Sequence, residues 1–191
     1  MINLVNFSKI NGVFIFKDFM KTTLVFFNTF KQLSLQKMLQ VLGLFIRQPV
    51  FFVLAVYASF KAYRIAQKKY PTTAGTNGKG NAFRHAFWNC LVLMYCCKVS
   101  SPQKALAFCE TFTNLHEELF PNQPLEKAMD LHNNEVGRNY FMSLLQGIHR
   151  QFFETSFFVE ELKVKANNAR LITGLEEDFG DGLVYVPDNK Y

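Results

Sequence analysis

The chain has 191 residues, 49% of them hydrophobic and 19% charged, with a formal net charge of +6. That length suits one domain over 1–191 with a sizeable buried core, and the composition excludes a disordered tail, a collagen-like fibre and a small disulfide scaffold. Charge is uneven: residues 1–70 carry ten Lys/Arg against Asp18 alone, a balance of +9, whereas residues 71–191 balance to −3.

The first 70 residues read as a basic, apolar part made of short amphipathic helices. Leu33, Met38, Leu39, Leu42, Phe45 and Ile46 recur at helical spacing with Lys31, Gln36, Lys37 and Gln40 between them. Pro49 ends or kinks that helix, and a second runs from about Pro49 to about Tyr70. No clean membrane span is expected. Arg47, Gln48 and Pro49 interrupt the most apolar window, and the uninterrupted Val50–Phe60 run is eleven residues, too short to cross a bilayer as a helix. The amino terminus shows no signal-peptide pattern, so the expected location is cytoplasmic, peripheral to the inner membrane if the basic part meets an anionic surface.

Pro71 to Gly80, PTTAGTNGKG, is the clearest loop. The motif-bearing helices follow within 81–150. One spans about Asn81 to Val99. Ser100, Ser101 and Pro102 start the next, which reaches about Leu119. Another covers about Leu125 to Arg150, and a last one about Ser156 to Gly174. The Leu183–Val186 run forms a short strand or an extended tail. The sum is an all-α, compact bundle of five to seven helices with a short extended C-terminal tail.

The four cysteines, Cys90, Cys96, Cys97 and Cys109, contain no CxxC pair. They read as buried free thiols in a reducing compartment.

Polar residues concentrate on two helix faces. Asn81, Arg84, His85, Trp88 and Asn89 fall at i, i+3, i+4, i+7 and i+8 of an otherwise apolar helix, and Asp130, Asn133, Asn134, Gly137 and Arg138 repeat that spacing. A buried polar stripe must be satisfied, so the two stripes are expected to face each other, with Gly137 permitting close approach. Trp88 reads as core packing. His116-Glu117-Glu118 lies between the stripes. Imidazoles and carboxylates in this number suit one divalent transition metal (Zn, Mn or Fe), with His85, His116, Glu117 and Asp130 as ligands. The metal-free alternative makes His85 a general base oriented by a carboxylate. His132 lies about 200° from Asp130 on an unbroken helix, from ~100° per residue, so only one of them can join the site; Asp130 is preferred.

Other motifs are absent. GTNGKG is no phosphate-binding loop, there is no GxSxG, and no nucleic-acid-binding module is recognisable, so nucleic acid is not an expected partner.

The runs Asn81-Ala82-Phe83-Arg84-His85-Ala86-Phe87-Trp88-Asn89, His116-Glu117 and Asp130-Leu131-His132-Asn133-Asn134 with Gly137-Arg138 resemble an uncharacterised bacterial family. Its pattern is N-A-x-R-H-A-x-W-N, then H-E, then D-x-H-N-N-x-x-G-R. The family is a domain of unknown function, so the resemblance implies the same residues and no reaction. A looser similarity is to metal-dependent phosphohydrolases of the HD type, which use a histidine, a His-Asp pair and a later Asp. His85, His116-Glu117 and Asp130 follow that order, but Glu117 stands where the pair has Asp, and Asp130 follows closely.

The expectation is therefore a hydrolase-like protein with an enclosed site, acting on a phosphoester or phospholipid. His85, Glu117 and Asp130 are its catalytic candidates. Arg84, Asn81, Asn89, Asn133, Asn134 and Arg138 are its candidate substrate contacts. The alternative is a non-enzymatic, membrane-peripheral or partner-binding helical protein whose polar cluster is structural, with residues 1–70 facing an anionic membrane surface.

Overall fold

The computed structural model describes residues 33–187. The helices expected before residue 33, and Lys31, lie outside the described residues. Six helices follow in order: α1 (Leu35–Arg47), α2 (Pro49–Lys69), α3 (Lys79–Val99), α4 (Pro102–Leu119), α5 (Pro124–Leu144) and α6 (Ser156–Asn167). A 3-10 turn, Arg150–Phe152, precedes α6, and two short strands, β1 (Arg170–Leu171) and β2 (Val184–Tyr185), close the described chain. The architecture is the all-helical bundle the periodicity predicts.

The chain divides into two units, Met1–Gln40 and Val41–Tyr191. Of the first, the described part is the opening of α1, where the Lys37 backbone N–H donates to Ser34 Oγ at 3.4 Å. The second carries the core.

Within the second unit α3 is the central helix: sixteen of its 21 residues are buried, as expected of a helix apolar nearly all round. α2, α4, α5 and α6 pack around it. α2 turns Ala55, Ala58, Ala62 and Ala66 inward, a row of small side chains that lets two backbones come close. Gly137 does the same from α5. A Cβ built there would lie 2.4 Å from the Ala86 carbonyl oxygen, so only glycine fits this crossing. Phe83, Phe87, Phe108, Phe141, Phe153 and Phe158 are fully buried, each contributing roughly 1.5–3 kcal/mol by removal from water. The core thus takes up six of the 22 Phe.

The helix ends follow local chemistry. Ser101 caps α4 by accepting from the Lys104 N–H at 3.4 Å, with Pro102 next to it. Glu126 reaches back to the Gln123 N–H at 3.3 Å to open α5. Two helices stop earlier than their periodicity predicts. α5 ends at Leu144, where the chain turns through Gly147, and α6 ends at Asn167 because the chain then enters β1. β1 pairs in parallel with β2, Arg170 opposite Val184 and Leu171 opposite Tyr185. The Leu183–Val186 run is therefore partly a strand, over a small cluster of Met129, Ile172, Val184 and Val186.

One expectation needs correction. α2 is, by length and composition, long and apolar enough to cross a membrane. Reading only Val50–Phe60 undercounts it, because Ala62, Tyr63, Ile65 and Ala66 continue the apolar helix past Lys61 and Arg64.

Candidate functional site

Three helices converge on one buried polar cluster. α3 contributes Asn81, Arg84, His85 and Asn89; α4 contributes Thr113 and Glu117; α5 contributes Asp130, Asn134 and Arg138. His85, Glu117 and Asp130 each offer a ligand atom, and these atoms lie within 4.8 Å of one another. All three residues are buried.

His85 is the hub. Its Nε2 lies 3.2 Å from Asp130 Oδ1 and its Nδ1 3.7 Å from Glu117 Oε1. Nδ1 also sits 3.1 Å from Asn134 Oδ1. On the other side Arg84 Nη2 is 2.9 Å from Nε2 and donates to Asn81 Oδ1. Arg84 Nε donates to the Ala74 carbonyl at 3.1 Å. Asp130 accepts from Asn81 Nδ2 at 2.9 Å and from Asn122 Nδ2 at 3.2 Å. Glu117 accepts from Asn134 Nδ2 at 3.4 Å.

Burial sets the charge states. It pushes the His85 ring well below its ordinary range, and the Arg84 charge pushes it further, against the Asn134 hydrogen bond. The ring is neutral near pH 7, so its contacts with the two carboxyls are dipolar rather than ion pairs, despite ion-pair distances. Burial lifts Asp130 to about 6, opposed by Arg84, Asn81 and Asn122. Burial and the charge of Asp130 lift Glu117 to about 8. Arg84 is lowered by its own burial, with Asp130 and Glu117 acting in the opposite sense.

A pocket of roughly 260 Å³ opens onto this cluster. Asn81, Arg84, His85, His116, Glu117 and Asp130 line its inner end, and Gly75, Thr76, Asn77, Phe120 and Asn122 line the rest. The 71–78 loop and the α4–α5 turn thus frame its mouth.

The remaining sequence candidates are placed as follows. His116 lines the pocket but stands outside the three-residue cluster. Its ring packs against Trp88 and Phe120, each at 5.0 Å. Burial, then His85 and Arg84, drive it down to about 3. Asn89 lies behind His85, donating to the His85 carbonyl at 2.9 Å and to Asn134 Oδ1 at 2.7 Å. Arg138 donates to Asn89 Oδ1 and to Thr113 Oγ1, each at 3.2 Å. Asn133 points elsewhere: Nδ2 donates to the Val184 carbonyl at 2.8 Å and Oδ1 accepts from the Val184 N–H at 3.0 Å, so it pins β2 as a neighbouring strand would. His132 lies 2.8 Å from the Gly182 carbonyl. Trp88 donates to Ser59 Oγ at 2.8 Å. The four cysteines are free and buried, and burial pushes Cys96 up to about 12 and Cys97 up to about 11. They are not thiolates at neutral pH.

Sequence reasoning finds Glu117 but misses its neighbours. Cys109 and Thr113 precede it at i and i+4 of a stripe that Glu117 completes at i+8 of α4, a signal hidden because those two are weakly polar. Asn122 belongs to a turn between two prolines, where no periodicity applies. The Gly75–Asn77 segment reaches the pocket only through the tertiary fold.

One imidazole and two carboxyls make a donor set positioned to hold a metal ion between His85, Glu117 and Asp130. No curated protein and no solved structure matches the chain. A family described as "Domain of unknown function (DUF6973)" matches residues 42–170, a span containing the trio and each side chain hydrogen-bonded to it. The match covers most of the chain, and the protein belongs to this domain family of unknown function.

Proposed function

We propose that the protein is a metal-dependent hydrolase acting on a phosphoester. The observation that carries this reading is the His85–Glu117–Asp130 trio at the inner end of an open, polar pocket, with the Arg84 guanidinium beside it. When bound, the metal supplies a Lewis acid that activates water. The chain's own groups do the rest. His85 acts as ligand or as base through Nε2. Asp130 and Glu117 complete the donor set. Arg84 draws an anionic substrate group into the pocket, and Asn81 and Asn122, which donate to Asp130, hold that carboxylate in place. Asn89, Asn134 and Arg138 support the cluster from behind.

The test is elemental analysis of protein purified without a metal-binding tag, wild type against His85→Ala. About one transition metal per chain, lost in the variant, is the expected result. A phosphoester screen of the metal-loaded protein then follows. Absence of retained metal, together with no binding of Zn, Mn or Fe in titration, overturns the reading.

A second reading has its own support. Every buried side-chain nitrogen and oxygen among the described residues has a hydrogen-bond partner, as a purely structural network would. In the second unit, Leu42, Phe45, Ile46, Val50, Val53 and Tyr57 are exposed on α1 and α2. On this reading the protein is a non-enzymatic, cytoplasmic helical protein peripheral to an anionic membrane. Lys61 Nζ, midway along α2, donates to Tyr95 Oη at 2.9 Å and to Thr155 Oγ1 at 2.6 Å. Those bonds favour α2 lying on the bundle over α2 crossing a bilayer. Vesicle binding is the test.

A further inference from the structure

We infer that Arg138 is a positioning residue which, through Asn89 and Asn134, fixes His85 in the tautomer with its proton on Nδ1 and its lone pair on Nε2. This deepens the metal-hydrolase reading, because Nε2 then carries the lone pair that acts as ligand or base once a metal or substrate displaces the Arg84 donor. It rests on that reading only for this consequence.

The tautomer follows from a chain of groups whose roles are forced. An arginine can only donate, and a backbone carbonyl can only accept. Asn89 lies between one of each. Arg138 Nη1 lies 3.2 Å from Asn89 Oδ1, and the His85 carbonyl lies 2.9 Å from Asn89 Nδ2. Turning the amide over would set its NH2 against a guanidinium and its oxygen against a carbonyl. The Cys109 thiol, 3.3 Å from the same Oδ1, adds a second donor. Arg138 is itself held by Thr113 Oγ1, which donates its own proton to the Glu110 carbonyl.

With Asn89 fixed, its Nδ2 must donate to the Asn134 atom 2.7 Å away, so that atom is Oδ1. The NH2 of Asn134 then points at Glu117 Oε1, an acceptor at 3.4 Å. His85 Nδ1 faces the same Asn134 Oδ1 at 3.1 Å and can only donate to it. Since Asn89 and Asn134 are fully buried, solvent does not relieve a wrong orientation.

One contact pulls the other way. Asp130 Oδ1 lies 3.2 Å from Nε2 and favours a proton there. Arg84 Nη2 is closer, at 2.9 Å, and is an obligate donor to that nitrogen. The two contacts at Nε2 offset each other, and the decision falls to Nδ1. A ligating histidine whose other ring N–H is held by an amide oxygen is the arrangement that orients an imidazole for metal.

The experiment is long-range proton–nitrogen NMR on 15N-labelled, chelator-treated full-length protein. The expected wild-type spectrum shows His85 protonated at Nδ1 and unprotonated at Nε2. Arg138→Met removes the obligate donor and is expected to give a mixture containing the Nε2–H form, with Arg138→Lys restoring the wild-type pattern. Asn89→Asp is the second variant. It keeps an acceptor for Arg138 but cannot donate to Asn134, and the same shift toward Nε2–H is expected. Zn2+ titration should show affinity falling by about 10–100-fold with each tautomer-shifting variant. An Nε2–H tautomer in wild type overturns the inference, as does an unchanged tautomer in folded Arg138→Met or Asn89→Asp protein. If the tautomer is as expected and no metal binds, the inference stands and the metal reading falls. If metal binds and the wild-type proton is on Nε2, the reverse holds.

Discussion

Glu117 and Asp130 share a cluster in which burial outweighs pairing, and that has a thermodynamic consequence. The folded chain holds a proton on Glu117 up to about pH 8, and on Asp130 up to about pH 6. The unfolded chain releases both at ordinary carboxylate values. Between those limits the folded state binds more protons, so stability is fullest on the acid side and falls as pH rises. His85 and His116 act oppositely. Their depressed values let only the unfolded chain take protons below about pH 6.5, so their contribution is lost as pH falls. Above that pH the carboxyl slope stands almost alone, at about 1.4 kcal/mol per pH unit for one proton. The melting temperature of chelator-treated protein is expected to drop from pH 6.5 to 8, and Glu117→Gln is expected to flatten that drop. Differential scanning calorimetry of the two proteins decides it; equal slopes would remove Glu117 as the cause.

At the scale of helices, the crossing of α3 and α5 places the trio. Gly137 meets the Ala86 backbone with no room for a methyl group. In an isolated helix, alanine would be better than glycine by about 1 kcal/mol. Here the clash is with backbone, which cannot rotate away. Gly137→Ala is therefore expected to destabilise by about 1–3 kcal/mol, and to weaken metal binding by moving Asp130 and Asn134 away from His85. A thermal melt and a metal titration on the same sample check both effects. This crossing is legible in the sequence: two stripes at matching spacing, one containing a glycine, imply facing helices. The stripe on α5 is narrower than its spacing suggests. Asn133 lies about 60° to one side of Asp130 around the helix, from ~100° per residue, and serves β2 instead. The early ends of α5 and α6 are not legible. Gly147 is a local hint for α5, but α6 yields to a strand pairing between residues 170 and 184, which no local window contains.

Across the second unit, charge and apolar exposure fall on the same elements. On α2, Val53, Tyr57, Arg64 and Lys68 share one exposed face, opposite the inward row of alanines. Residues 41–70 contain no Asp or Glu. Leu42, Phe45 and Ile46 add exposed apolar side chains on α1, and Arg47 is exposed at its end. The combination of apolar and basic groups exposed on these two helices suits the headgroup boundary of an anionic bilayer. Each Lys or Arg at such a surface is worth about 1 kcal/mol. Replacing Arg47, Arg64 and Lys68 by Gln should therefore weaken binding about 100-fold. Cosedimentation with phosphatidylcholine–phosphatidylserine vesicles measures this, and binding should also fall as salt screens the charges. Ile46→Ser with Val53→Ser tests the apolar share and should weaken binding even at low salt. Equal affinity for pure phosphatidylcholine vesicles, or unchanged binding by the Gln variant, would remove the electrostatic half of the argument and with it the case for an anionic membrane as partner. Because none of the altered residues lies in the polar cluster, metal content should stay at the wild-type level in every one of these variants, which separates the surface from the site.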